Sequence, residues 1–383
     1  MPVWSGSFTN SETRGYFCPT QAPEEPHKFR FLLLMRLYFS FCLFLCMLNG
    51  LAAQDNFFSQ SYAAPLILNP ALTGAFEGKF RVSAIYRDQW AKALDNPYKT
   101  FATAFDIKWG IGQKTARYQD MAAVGIFFYN DKAGLLDFST SQISISGAYH
   151  KALDIRNTQY LSIGFQVGIV QKNVNYGNLR FEDQFNGATG YTNPTSEILP
   201  ENNFAFADYS VGLNYSYSPE YSRVKVFVGA GLHHFTSPSV SFFSRSDDTG
   251  LQPDNKLNRR YSLQLSSFLP VGDGLAFIPR ASIDQQGSSR KLDAGTNLRI
   301  NTSTHKNSAL HVGGYVRLVS DFDTEARTDA VVALLGVEFN NVLLGFSYDL
   351  NFDKLAQSER TSFEISLAYL GEYEDEVVLC PKF

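Results

Sequence analysis

From Lys79 to Gly371 the chain alternates apolar and polar side chains in about fourteen segments, and a period of two is the signature of β-strands. The last segment shows it plainly. Phe363, Ile365, Leu367 and Tyr369 are apolar, whereas Ser362, Glu364, Ser366 and Ala368 between them are polar or small. A soluble sandwich buries the apolar face of such strands, while a barrel in lipid turns that face outward and its polar face toward the lumen. The pattern predicts strands over 79–90, 98–109, 120–130, 138–150, 158–171, 206–217 and 222–235. It continues with 258–269, 274–285, 289–300, 307–318, 329–340, 342–351 and 361–370.

Loop lengths separate the two architectures. If both termini are periplasmic, the turns after even-numbered strands of a membrane barrel are short and the opposite loops long. Residues 218–221, 270–273 and 340–341 are tight, while the long gaps 172–205 and 236–257 fall on the other side and are rich in Asn, Asp, Ser and Pro. A sandwich predicts no such parity. The expected fold is therefore all-β: a closed transmembrane antiparallel barrel of about 14 strands. After the N-terminal region no run of eighteen apolar residues occurs, so strands must do any membrane crossing.

The N-terminal region reads as an export signal. Arg36 precedes an apolar run from Leu37 to Leu48, followed by small residues at Gly50, Ala52 and Ala53. Met35 just before it is the expected true start, with cleavage near Ala53 and Gln54 opening the mature chain. An uncleaved anchor over 31–53 is disfavoured because Arg36 interrupts it, and Leu45 before Cys46 argues against a lipoprotein site. The expected organisation is 1–53 extension and signal peptide, 54–78 periplasmic segment or plug, 79–370 barrel and 371–383 periplasmic tail. Of the four cysteines only Cys380 lies beyond the signal, which leaves an inert buried thiol or an intermolecular bridge. The tail is acidic at Glu372, Glu374, Asp375 and Glu376 and then apolar from Val377 to Phe383, as expected for docking against the barrel rim or a partner.

Composition agrees. Aromatics make up 15% of the 383 residues, with 20 Tyr, 33 Phe and 28 Gly, which suits interfacial girdles and close strand packing. The net charge of −4 supplies no global basic field for nucleic acid. The sequence holds no Gly-x-Ser-x-Gly elbow, His-Glu-x-x-His, Walker loop or dinucleotide fingerprint. No enzymatic activity, cofactor or metal is expected. His233 and His234 are adjacent on a predicted strand, so they should face opposite sides. His311, Arg317, Asp293 and Glu364 fall on the polar face and read as an ordinary hydrated lumen rather than a hydrolytic cluster.

Several segments resemble the PorP/SprF family of the Bacteroidetes type IX secretion system and gliding machinery. They are Asn69-Pro70-Ala71-Leu72-Thr73-Gly74, Tyr86-Arg87-Asp88-Gln89-Trp90, Asn130-Asp131-Lys132-Ala133-Gly134 and Gly345-Phe346-Ser347-Tyr348-Asp349. Phe363-Glu364-Ile365-Ser366-Leu367 and Cys380-Pro381-Lys382-Phe383 complete the series, the family often having Arg in place of Lys382. The resemblance implies an integral outer-membrane barrel, related to the FadL-like fourteen-stranded group, that works with secretion-system components and a secreted cargo instead of catalysing a reaction. Some members of the family are paired with a large surface adhesin and serve its export or retention. Asn69, Pro70, Gly74, Arg87, Trp90, Cys380, Pro381 and Phe383 are the candidate partner-binding or structural residues. Pro70 should fix an extended lead-in and Gly74 a turn before the wall. Arg87 and Trp90 read as a lumen or rim anchor, or, for Trp90, a plain interfacial aromatic. A passive channel or hydrophobic-solute transporter is the competing function.

Overall fold

The computed structural model describes residue 55 and residues 57–371, apart from 113–117, 135, 220–223, 243–254, 273, 304–307, 321–325 and 352–360. The expected signal peptide, its cleavage site and the tail 372–383 lie outside the described residues. Seven strands form the first half: β1 (Phe80–Gln89), β2 (Tyr98–Ile111), β3 (Asp120–Ala133), β4 (Phe138–Ala152), β5 (Gln159–Asn173), β6 (Asn203–Tyr217) and β7 (Lys225–His233). The second half is β8 (Arg260–Val271), β9 (Leu275–Gln286), β10 (Ser289–Ser303), β11 (Ser308–Ser320), β12 (Arg327–Phe339), β13 (Val342–Asn351) and β14 (Thr361–Gly371). Each pairs antiparallel with its neighbours in the chain. The pairing of β14 with β1, from Phe80↔Gly371 to Gln89↔Ser362, closes the fourteen-stranded barrel.

Burial follows the alternation in the sense required by lipid. On β5 the side chains of Leu161, Ile163, Phe165, Val167 and Ile169 are exposed, while Tyr160, Ser162, Gln166 and Val170 are buried. On β14 Ile365, Leu367 and Tyr369 face outward, whereas Ser362, Glu364 and Ser366 are buried. A sandwich would show the reverse. Ile163, 59% exposed in mid-strand, offers a direct check. Ile163→Arg places a charge against the hydrocarbon and should destabilise the barrel by about 2–4 kcal/mol. Urea titration of the reconstituted protein measures this loss, and an unchanged midpoint would contradict a lipid-facing Ile163.

The strands stand within three residues of the sequence expectation at every end. The differences have local causes. β6 starts at Asn203 because its first residues continue the β5 ladder to Asn173↔Asn203. β7 stops at His233 because His234 takes a left-handed φ of 55°. That turn overturns the expectation that His233 and His234 face opposite sides. Both are buried, with ring centroids 6.4 Å apart.

Both ends of the barrel sequence, Phe80 and Gly371, lie on one rim, here called proximal. The two long connections, 174–202 between β5 and β6 and 234–259 between β7 and β8, belong to the opposite, distal rim. Two-residue turns occur at 340–341 on the proximal rim and at 287–288 on the distal one. Gly287 there has φ +58°, a conformation that costs glycine least.

Candidate functional site

Asp55 and residues 57–78 thread the lumen from the distal to the proximal rim, and their local structure follows from two prolines. Pro65 opens a one-turn helix, α1 (Pro65–Leu68), where its missing N–H costs nothing. Pro70 disfavours helical backbone at the residue before it. Asn69 is accordingly extended (φ −162°, ψ 123°) and ends α1, while Pro70 itself begins a 3-10 turn to Leu72. The extended residue is therefore Asn69, not Pro70. Gly74, with φ +75°, makes the turn toward the wall.

Asn69 is fully buried and fully used. Its Oδ1 accepts the Ala71 N–H at 2.9 Å, capping the turn, and its Nδ2 donates to the Leu213 and Ala230 carbonyls at 3.0 and 3.2 Å. Three glycines make room for it. A Cβ at Gly164 on β5 would overlap the Ala71 nitrogen and the Pro70 carbonyl carbon, and one at Gly212 on β6 would overlap the Asn69 Oδ1. At Gly229 on β7 it would stand 2.9 Å from the Asn69 Nδ2. The Asn69-Pro70-Ala71 corner thus rests on a glycine-floored seat spanning three strands.

Charged anchors fix the segment on either side of this seat. Toward the proximal rim, Arg81 makes a bidentate pair with Asp106 at 2.9 and 2.7 Å and donates to the Leu72 carbonyl at 3.2 Å. Asp106 also accepts the Gly74 N–H at 2.8 Å. His150 bridges the Thr73 carbonyl and the Ser162 hydroxyl at 2.8 and 2.7 Å. Phe76 lies beneath Arg81 and Lys108.

Toward the distal rim, Glu364 accepts the Ser59 and Gln60 amides at 2.7 and 2.8 Å, and Asp349 accepts the Ser59 hydroxyl. Arg87 pairs with Glu364 at 3.2 Å and donates to the Phe57 carbonyl. Arg317 joins Asp293 at 2.9 Å, Asp349 at 3.0 Å and the Ser59 hydroxyl at 2.7 Å. The Phe57 ring sits among Arg87, Lys291 and Arg317, 4.1 to 5.2 Å from their charged groups. Of these, Glu364, Arg317 and Asp293 were expected to face an ordinary hydrated lumen. Glu364 and Arg317 instead hold a polypeptide segment, with Asp293 paired to Arg317, and pairing offsets the high cost of burying these charges.

The leading residue, Asp55, is held by a clasp. Its N–H donates to the Gln286 Oε1 at 2.8 Å, and its carboxylate meets Arg260 at 3.2 Å and His234 Nε2 at 2.6 Å. His234 Nδ1 lies 2.8 Å from Asp208 on β6. With a carboxylate at each nitrogen, both must carry protons, so the ring is an imidazolium. Burial opposes that charge, but Asp55 and Asp208 outweigh it and push His234 up to about 9 from an ordinary 6.5. The folded value lies above the unfolded one, so the stabilisation is complete below pH 6.5 and is lost as pH rises through about 9. Protease cleavage near Asp55 should therefore increase over that interval in the wild type, whereas in His234→Gln it should not respond to pH there. Equal pH profiles would exclude His234 as the titrating clasp.

Of the candidate residues, Asn69, Pro70 and Gly74 belong to the luminal segment and Arg87 to its distal anchor. Trp90, at the distal end of β1, has φ 63°, donates its amide to the Thr361 carbonyl at 2.8 Å and packs edge-on against Tyr98 at 5.3 Å. Cys380, Pro381 and Phe383 lie outside the described residues. Arg81, Asp106, Asp349, Asp55 and Asp208 carried no expected role individually. A charge on the inward face of a spanning strand is the signal that could have found the four on strands. Among the described residues no group of three or more His, Cys, Asp or Glu side chains is placed to hold a metal ion.

Inverted burial, strand closure and a luminal segment held by buried ion pairs define an outer-membrane β-barrel with internal chain in its lumen. The family described as type IX secretion system membrane protein PorP/SprF matches residues 50–369, and the chain belongs to that family. No curated protein matches it. Similar solved structures include a Pseudomonas aeruginosa FadL homologue, at 9% identity and a TM-score of 0.47, over 79% of this chain and 92% of that one. Another is the CymD monoaromatic hydrocarbon channel, at 10% identity and a TM-score of 0.45, over 85% and 96%.

Proposed function

We propose that this protein works with the type IX secretion machinery in export or surface retention of a secreted protein, such as a gliding adhesin, and that it does so by binding rather than by chemistry. Family membership supplies the secretion context. The carrying observation is the luminal segment, tied to the wall by Arg81, Arg87, Arg317 and Asn69. A lumen occupied in this way shifts the work to the rims. In this reading residues 54–78 are a plug, the proximal rim is periplasmic, and the tail 371–383 contributes to partner engagement. Asn69, Pro70, Gly74 and Arg87 are structural residues that seat the plug, while Cys380, Pro381 and Phe383 act at the periplasmic face.

Affinity purification from detergent-solubilised membranes, followed by mass spectrometry, tests the reading. Secretion-system proteins and one exported cargo should co-purify with the full chain. They should be depleted when Glu372–Phe383 is deleted from a barrel that still assembles. A barrel that brings down neither, yet passes ions or apolar solutes freely in a planar bilayer, would establish the channel reading instead.

A further inference from the structure

The two neighbours of β6 use very different lengths of it. β5 pairs along all 15 of its residues, from Gln159↔Tyr217 to Asn173↔Asn203, whereas β7 pairs only from Tyr217↔Val226 to Val211↔Leu232. Because β7 stops at the left-handed His234, β6 runs on toward the distal side with one edge released. In an antiparallel strand the N–H and C=O of a residue point the same way, and successive residues alternate. The Phe235 N–H donates to the Tyr209 carbonyl at 3.3 Å, so odd-numbered residues face the released edge. Even-numbered ones face β5, as the bond from the Val174 N–H to the Asn202 carbonyl at 2.8 Å requires. Beyond Tyr209, the main-chain groups of Ala207, Ala205 and Asn203 therefore point to the open side, where they meet no hydrogen-bond partner among the described residues.

This stretch stands at the outer margin of the wall. Ala205 pairs across β5 with Gln171 and Asn203 with Asn173, and Asn203, Ala205 and Ala207 are all exposed. Unpaired main chain is not tolerated in hydrocarbon but can wait in water. Native edges are usually guarded by lysine, proline, an inward charge or a bulge. The sequence Asn-Phe-Ala-Phe-Ala at 203–207 has no charge or proline, and its ladder to β5 is regular. Its inward side chains are apolar: Phe206 lines the distal mouth of the lumen, and Phe204 packs edge-on against Phe242 at 4.8 Å.

We propose that this edge of β6, Asn203–Ala207, is a strand-addition site that takes an extended, uncharged segment of a partner protein as a further antiparallel strand at the distal rim. Main-chain bonds to Asn203, Ala205 and Ala207 supply the binding, and apolar side chains at alternate positions of the partner meet Phe204 and Phe206. A second copy of the chain does not fit. Two barrels related by a two-fold along the membrane normal run β6 toward the same side, so their edges cannot pair antiparallel. The assignment does not depend on the secretion role.

Amide hydrogen exchange on the detergent-solubilised full chain tests the site, with a soluble peptide of alternating Val and Thr, capped by lysine pairs, as the probe. In the free protein the Ala205 and Ala207 amides should exchange fast and those of Phe204 and Phe206 slowly. Saturating peptide should slow the first pair. With Val turned toward the two phenylalanines, the Thr amides face β6. N-methylating the Thr amides should therefore weaken binding by about tenfold or more, whereas N-methylating the Val amides should not. Ala205→Pro removes an edge donor without touching the bonds to β5 and should weaken binding by about tenfold. Ala205→Lys, which guards the edge and keeps the N–H, carries the same test if the proline variant fails to assemble. The proposal is overturned if Ala205 and Ala207 are as protected as Phe204 and Phe206 in the free protein, since the edge would already be covered by the chain itself or by a second copy. It is equally overturned if the peptide does not bind saturably, if both methylated peptides bind like the parent, or if the assembled variants bind like the wild type.

Discussion

Arg317→Ala should destabilise the folded protein by about 3–5 kcal/mol, the cost of breaking a buried ion pair by removing one partner. Arg317 is 1% exposed and reaches Asp293, Asp349 and the Ser59 hydroxyl through separate nitrogens. Without it, Asp349 retains Arg87 only at 3.5 Å and Asp293 retains Lys291 at 3.0 Å. The Phe57 ring also loses one of its three cations. Equilibrium urea unfolding gives the loss of stability, and limited proteolysis should find the segment around Phe57 newly accessible. Arg317→Lys should recover part of the loss, because a single ammonium keeps the charge but cannot span three acceptors as the fork does. Adding Asp349→Asn to Arg317→Ala should also recover part of it, by removing a buried carboxylate left with only the longer Arg87 contact. If Arg317→Ala matches the wild type in both assays, Arg317 does not anchor the luminal segment.

What was legible in the sequence and what was not divides by the range of the interaction. The alternation of Leu161, Ile163, Phe165, Val167 and Ile169 is a property of adjacent residues, so strand number and lipid-facing side can be read along the chain. The partner of an inward charge cannot. Glu364 binds Ser59 across 305 positions of sequence, and Arg87 meets Glu364 because closure of the barrel puts them opposite one another. A period of two places both on the polar face but cannot say whether water or polypeptide lies against that face. His233 and His234 failed for a smaller reason. One left-handed residue at the end of β7 turns the second ring inward, and nothing in the strand period announces it.

The glycines show the same limit, since Gly164, Gly212 and Gly229 read singly as close strand packing but lie on three strands that only the fold assembles into a seat. Gly164→Ala should unseat the luminal segment while leaving the ladder intact. Its Cβ would overlap the Ala71 nitrogen and the Pro70 carbonyl carbon, which are backbone atoms of a corner fixed by Pro70. Overpacking of this kind costs about 1–3 kcal/mol. Relief by moving the segment would break the Asn69 bonds to Leu213 and Ala230 as well. The expected result is a heat-modifiable barrel with a protease-sensitive segment around Asn69 and a higher ion conductance in planar bilayers. Gly147→Ala on the adjacent strand β4 is the control. The nearest atom to its added methyl is the Ala123 carbonyl oxygen at 3.9 Å, an ordinary contact, so conductance and proteolysis should stay at wild-type levels. Asn69→Ala approaches the same state from the other side, removing the donors while leaving the seat empty of any clash. If Asn69→Ala raises conductance and Gly164→Ala does not, the segment is held by its hydrogen bonds and the wall yields at Gly164. If neither does, the lumen is sealed by the charged anchors alone, and the glycine seat serves assembly rather than closure.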